Sequence, residues 1–206
     1  PLIGWTIEQA QACPSIGDVF VSTDDPEIAR IAVDFGATVP FQRPDHLASS
    51  EAGKLPVITH LVEHLESTGL VMDRIVDLDP TSPLRRLEDI EGAIALLDES
   101  TDVVITGYRS DKNPYFNMVE QKADGRFGLV VSSDAVARQA APPVYAMNGS
   151  VYVWHRRTLG KGLWAGNTQL YEMPHDRSVD IDSELDFRVV QLLMAESGGP
   201  TDREAT

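Results

Sequence analysis

Apolar residues recur at helical spacing from Leu2 to Ala12 and the pattern stops at Pro14, which predicts an opening helix. Asp18-Val19-Phe20-Val21-Ser22 is a short apolar run suited to a buried strand. A helix is predicted from Asp25-Pro26, where Thr23 or Asp24 can cap it and proline suits its first turn. Ile28, Ile31, Ala32 and Phe35 form its apolar stripe, and Gly36 ends it. Val57, Ile58, Leu61, Val62 and Leu65 mark the next amphipathic helix. Arg74-Ile75-Val76-Asp77-Leu78 then reads as a strand running into a proline-flanked loop. Leu87 to Leu97 predicts a further helix and Asp102 to Thr106 a further strand. This alternation predicts an α/β domain with a mainly parallel, three-layer sheet.

After Gly107 the texture changes. Tyr115-Phe116-Asn117-Met118-Val119-Glu120, a turn at Gly125 and Phe127-Gly128-Leu129-Val130-Val131 predict a hairpin within an excursion over residues 108–147. Such an excursion can cover an active site as a lid, pair with a second subunit, or serve as an ordinary antiparallel edge. Ser150 to Trp154 restores a core strand, Gln169 to Met173 adds another, and Glu184 to Met194 is a closing helix capped by Asp182 or Ser183. Residues 195–206, rich in glycine and charge, are expected to fray.

Composition narrows the functional classes. With 206 residues, 42% of them hydrophobic, the chain suits a single domain over residues 1–206. A net charge of −15 argues against a nucleic-acid or anionic-membrane surface, so an anionic substrate has to be met locally by a metal or a few arginines. The single cysteine, Cys13, permits no internal disulfide and fits a reducing cytoplasm. No apolar run approaches a membrane span, and no secretory leader is visible.

The candidate chemistry lies toward the C-terminus. In Ser178-Val179-Asp180-Ile181-Asp182 an extended backbone would point both aspartates the same way, where they can grip one hard cation. Asn148-Gly149-Ser150-Val151-Tyr152 precedes this pair, and Asp79-Pro80-Thr81-Ser82-Pro83-Leu84-Arg85 lies at the end of a predicted strand, where α/β sheets bind ligands. His60 and His64 lack the H-E-x-x-H arrangement of a zinc helix, Asp24 and Asp25 read as helix caps, and neither G-x-G-x-x-G nor a Walker sequence occurs.

Taken together the chain resembles the acylneuraminate cytidylyltransferases. The resemblance rests on Val21-Ser22-Thr23-Asp24-Asp25-Pro26-Glu27-Ile28-Ala29, Arg43-Pro44 with Leu47-Ala48-Ser49, Pro80-Thr81-Ser82-Pro83-Leu84-Arg85, Arg138-Gln139, Asn148-Gly149-Ser150-Val151-Tyr152 and Ser178-Val179-Asp180-Ile181-Asp182. It implies a nucleotide-diphospho-sugar-transferase-like fold and a reaction of CTP with a nonulosonic 2-keto sugar acid, giving the CMP-sugar and pyrophosphate. It further implies a homodimer and magnesium bound by Asp180 and Asp182 as the catalytic metal site. By the same resemblance Arg43 lies near cytosine and ribose, or else forms a surface ion pair. Thr81 and Ser82 meet sugar hydroxyls, and Arg138 with Gln139 meets the sugar acid. Arg85 approaches the nucleotide or caps the following helix, while Asn148 and Gly149 face the base or sugar.

Three departures bear on the substrate. The family's glycine- and lysine-rich triphosphate segment is expected immediately before Pro1. Asp79 stands where many relatives have glutamine, and a carboxylate accepts without donating, which favours a hydroxyl- or amine-bearing group on the sugar. Ala146-Met147 stands where some sialic acid enzymes carry Arg-Pro. Legionaminate, pseudaminate and eight-carbon keto sugar acids are therefore alternative substrates, and a non-catalytic nucleotide-binding scaffold is the alternative from another class.

Overall fold

The computed structural model describes residues 1–49 and 51–196. In chain order its first elements are α1 (Leu2–Ala12), α2 (Pro26–Asp34), α3 (Lys54–Ser67), β1 (Arg74–Leu78), α4 (Leu87–Ala95) and β2 (Val103–Arg109). Then follow β3 (Val119–Gln121), β4 (Phe127–Leu129), β5 (Tyr145–His155), β6 (Thr168–Glu172) and α5 (Glu184–Glu196).

The central sheet has the order β1-β5-β2-β6. β1 and β2 each pair antiparallel with β5, and β2 pairs parallel with β6, so β1, β2 and β6 run one way and β5 opposes them. Val103, Val104 and Ile105 of β2 and Val151 and Val153 of β5 are buried, as continuous apolar runs must be when both faces of a sheet are covered. Each such side chain contributes about 1.5–3 kcal/mol on burial. Ile90, Ala93 and Ile94 of α4 close one face against Val104, Val151 and Val153. Val62 of α3 and Leu159 close the other against Val103, Ile105, Tyr152 and Trp154. The result is the expected helix–sheet–helix layering.

A third cluster, Ile7, Ala32 and Ala37, joins α1 to α2. A cleft of about 480 Å³ borders all three clusters and runs between α1, residues 15–21, α3 and β1. Residues 18–22 were expected to form a strand, but they make only the isolated parallel bridges Phe20 to Thr38 and Thr23 to Gln42. One edge of this segment pairs with residues 38–42, and its other side faces the cleft that separates it from β1, so it joins no strand of the central sheet.

The helix termini follow local chemistry. Asp25, rather than Thr23 or Asp24, caps α2 by accepting from the N–H groups of Glu27 and Ile28. Ser183 caps α5 by accepting from Asp186 N–H. The expected hairpin is present as β3 and β4, paired antiparallel from Val119 opposite Leu129 to Gln121 opposite Phe127. Gly125 turns it with φ of 81°, a conformation open to glycine. The helical part of the C-terminal expectation extends through Glu196, and residues 197–206 lie outside the described residues. No helix among the described residues is long and apolar enough to cross a membrane.

Candidate active site

The loop after β1 is held from below by Arg85. Its Nη1 donates to Asp79 O at 2.7 Å and Ser150 O at 3.1 Å, and its Nη2 donates to Thr6 Oγ1 at 2.9 Å. Trp5 Nε1 of α1 donates to Pro83 O at 2.8 Å, and Gln9 donates to Arg85 O at 2.7 Å. Arg85 is 1% exposed, and burial lowers its pKa to about 10 even though Asp79, Asp77 and Asp89 act in the opposite direction. Arg85, expected either to approach the nucleotide or to cap the following helix, is buried here and shapes the loop through these bonds.

Two more expected contacts are absorbed by the framework. Asn148 is buried, and its Oδ1 accepts from Thr106 Oγ1 at 2.7 Å and Ser150 N–H at 3.2 Å. Its Nδ2 donates to Ser178 Oγ at 3.0 Å and approaches Met173 Sδ at 3.1 Å. This amide has no capacity left for a base or sugar. Ser82 is also fully buried, its hydroxyl shared between Asn148 O at 3.1 Å and Asp180 Oδ1 at 3.3 Å. Asn148 and Ser82, expected to meet base or sugar, spend these polar groups here on fixing the positions of other residues. Thr81 remains half-buried, and its hydroxyl donates to Asp79 Oδ1 at 3.2 Å.

Gly149 occupies the left-handed region at φ of 65°, beside the register shift between β2 and β5. A Cβ there would stand 3.8 Å from Asp180 Oδ2, 3.9 Å from Asp79 Oδ2 and 4.0 Å from the Tyr152 hydroxyl. Two carboxylates separated by a hundred residues of chain therefore face one another across a glycine that leaves the backbone open. Ile181 N–H donates to Thr81 O at 2.9 Å, which fastens the aspartate segment to the loop.

The backbone around Asp180 and Asp182 forms no strand, so strand alternation does not align the two side chains. Asp180 is half-buried against Ser82 and Gly149. Asp182 is exposed at the start of α5, and its N–H donates to Asp186 Oδ2 at 3.3 Å. Asp180 thus meets Asp79 across Gly149, while Asp182 lies two residues further along the chain in an exposed position.

Lys54, at the first position of α3, has no periodic signal in the sequence. Its Nζ donates to Asp77 Oδ2 at 2.8 Å and Asp79 Oδ2 at 2.9 Å, and lies 4.5 Å from the centre of the Tyr152 ring. Burial alone would lower its pKa, but Asp77 and Asp79 outweigh burial and hold the ammonium well above the ordinary lysine range. One clue was available: a cation in a first helical turn opposes the helix dipole, which points to a carboxylate partner outside the helix.

The remaining candidates lie on other elements. Arg43 is half-buried and donates through Nε to Ser22 Oγ at 3.2 Å and through Nη2 to Ser22 O. Arg138 and Gln139 are exposed in a short turn, and Arg138 pairs with Asp111 at 3.7 Å. No hydrogen bond or ion pair among the described residues joins these three to Asp79 or Asp180.

A divalent ion is the group the resemblance implies, and the donor set fits it: carboxylate oxygens near an open backbone suit magnesium, which keeps waters and takes substrate phosphates as further ligands. Among the described residues no three His, Cys, Asp or Glu side chains are grouped to hold a metal on their own.

Comparison with known proteins agrees with this architecture. A family model described as cytidylyltransferase matches residues 1–147. The chain is 36% identical over 199 residues to the post-translational flagellin modification protein B of Campylobacter coli, across 95% of this chain and 84% of that protein. It is 35% identical over 198 residues to the CMP-N,N'-diacetyllegionaminic acid synthase of Campylobacter jejuni, across 94% and 84%. Among solved structures, a CMP:2-keto-3-deoxy-manno-octonic acid synthetase complexed with CTP has a similar fold, with a TM-score of 0.66 at 19% identity over 96% of this chain and 88% of that one. With a family model spanning most of its length and relatives above one-third identity over nearly all of it, the chain belongs to the cytidylyltransferase family.

Proposed function

We propose that the protein transfers CMP from CTP to the anomeric hydroxyl of a nonulosonic, sialic-type 2-keto sugar acid and releases pyrophosphate. The observation that carries this reading is the meeting of Asp79 and Asp180 across Gly149 at the end of β1, in a chain similar to a CMP-legionaminate synthase. The sugar oxygen forms a bond to the α-phosphorus, the bond to the β-phosphate oxygen breaks, and the hydroxyl proton passes to solvent or a nearby base. Magnesium, when bound, supplies positive charge to the phosphate oxygens. Asp180, fixed by Ser82, and the exposed Asp182 are its proposed protein ligands. Asp79, with Thr81 donating to it, presents an acceptor to a hydroxyl or amide N–H of the sugar. Arg138 and Gln139 are proposed to meet the sugar carboxylate, and Arg43 the nucleotide.

The acceptor character of Asp79 and the legionaminate relative together favour a diacetamido nonulosonate. We further assign a homodimer through residues 108–147, where Val119 and Phe127 are exposed, and a cytoplasmic location consistent with the single free Cys13. The test is pyrophosphate release from CTP and magnesium with a panel of nonulosonic acids and an eight-carbon keto sugar acid. Release with a nonulosonate, lost in Asp180→Asn and Asp182→Asn variants that stay folded, is the expected result. No release with any member of the panel would favour a nucleotide-binding scaffold instead.

A further inference from the structure

Three carboxylates, Asp77, Asp79 and Asp180, stand near the end of β1 with a single ammonium among them. Lys54 contacts one oxygen of Asp77 and one of Asp79 at ordinary ion-pair distances. Its side chain is 38% exposed, and those of Asp77 and Asp79 are 25% and 30% exposed, so the group is shielded yet open on one side. The other oxygen of Asp79 accepts from Thr81, and the oxygen held by Lys54 is the same one that faces Asp180 across Gly149. Lys54 therefore occupies the side of Asp79 from which a cation shared with Asp180 would bind.

We propose that Lys54 is the internal counter-ion that keeps the Asp77 and Asp79 pair from taking up a divalent ion and so reserves Asp79 for the sugar. This deepens the proposed function, since it assigns the metal to the Asp180 and Asp182 side of the site and substrate recognition to the Asp79 side. The charge balance supports it. Lys54 and the buried Arg85 guanidinium together balance Asp77 and Asp79, whereas removal of Lys54 leaves one net negative charge at β1, next to another at Asp180. Oxygen-only donors at that charge density are the ligands hard divalent ions select. Lys54 acts through Asp79 and is a positioning residue.

The experiment measures Mn²⁺ binding to nucleotide-free protein by electron paramagnetic resonance and calorimetry. Lys54→Met is expected to gain Mn²⁺ affinity by at least about tenfold over the wild type, by removal of a competing charge. Lys54→Arg is expected to stay near wild type, and Lys54→Met with Asp79→Asn to lose the gain. Unchanged Mn²⁺ affinity in a Lys54→Met protein that melts like wild type overturns the proposal. So does a gain that survives Asp79→Asn. In kinetics, Lys54→Met is expected to raise KM for the sugar acid more than KM for CTP. The Mn²⁺ readout needs no turnover, so failure of the proposal is distinguishable from failure of the cytidylyltransferase reading.

Discussion

Arg177 grips the buried carboxylate of Asp89 with two nitrogens, Nε at 2.9 Å from Oδ2 and Nη2 at 2.8 Å from Oδ1. Asp89 also accepts from Arg86 N–H at 2.8 Å, so one carboxylate both caps α4 and anchors the turn that leads into Ser178 and Asp180. Truncation of Asp89 would leave the Arg177 charge without its main partner. Asp89→Ala is expected to cost about 3 kcal/mol, the low end for a broken buried pair because water reaches Arg177. Urea denaturation measures the stability, and pyrophosphate release should fall even where the protein is fully folded.

The Asn148 amide knits β2, β5 and the Ser178 turn together. Asn148→Ala strands the buried Ser150 N–H, while the Thr106 hydroxyl keeps Val151 as a partner, and the change is expected to cost about 1–3 kcal/mol. Because the amide is fully engaged within the protein, the variant's residual activity should show a reduced kcat with little selective change in KM for either substrate. A large rise in one KM alone would mean that the amide reaches a ligand after all.

Gly149→Ala tests the open backbone. Its φ of 65° makes an alanine strained by about 1–2 kcal/mol, while the added carbon meets only ordinary contact distances from Asp180 and Asp79. Activity is expected to fall by more than this loss of stability explains, because the methyl group intrudes where ligand approaches. Gly69→Ala is the control: its φ of 95° imposes similar strain, and its Cβ would meet nothing within 4 Å.

Cys13 supplies a pH-dependent prediction. Burial, followed by its hydrogen bond to Glu91, raises the thiol pKa from 9.0 to about 11. Between those values the unfolded chain has lost the proton and the folded protein has kept it, so stability should decrease as pH rises through that window. Alkylation of the thiol at pH 8 is expected to be slow in folded protein and to accelerate in urea, as followed by mass spectrometry.

Much of the fold was legible because its signals are local. The apolar period from Leu2 to Ala12 and the β-branched run from Arg74 to Leu78 match α1 and β1 residue for residue. Residues 18–22 look equally strand-like, but a strand requires partners on the sheet, which no local pattern specifies. The aspartate segment, the proline-flanked loop and the Asn148-Gly149 turn were recognisable by residue type, and the structure does bring them together. Their division of labour was not, because burial decides it: Arg85, Ser82 and Asn148 carry polar groups suited to a ligand and spend them on backbone and neighbouring side chains. Lys54 escaped notice because its partners lie 23 and 25 residues away.

The outer side of β1 makes the geometry of the carboxylates depend on a vulnerable strand. Ile75, Val76 and Leu78 are only half-buried beside the cleft, so this edge has less packing to resist local opening than β2 or β5. Asp77 lies on that strand and Asp79 directly follows it, so a fluctuation that peels β1 from β5 would carry both acids away from Asp180. Amide hydrogen exchange along residues 74–79 would therefore report, in one measurement, how rigid the sheet margin is and how often the reactive geometry is assembled.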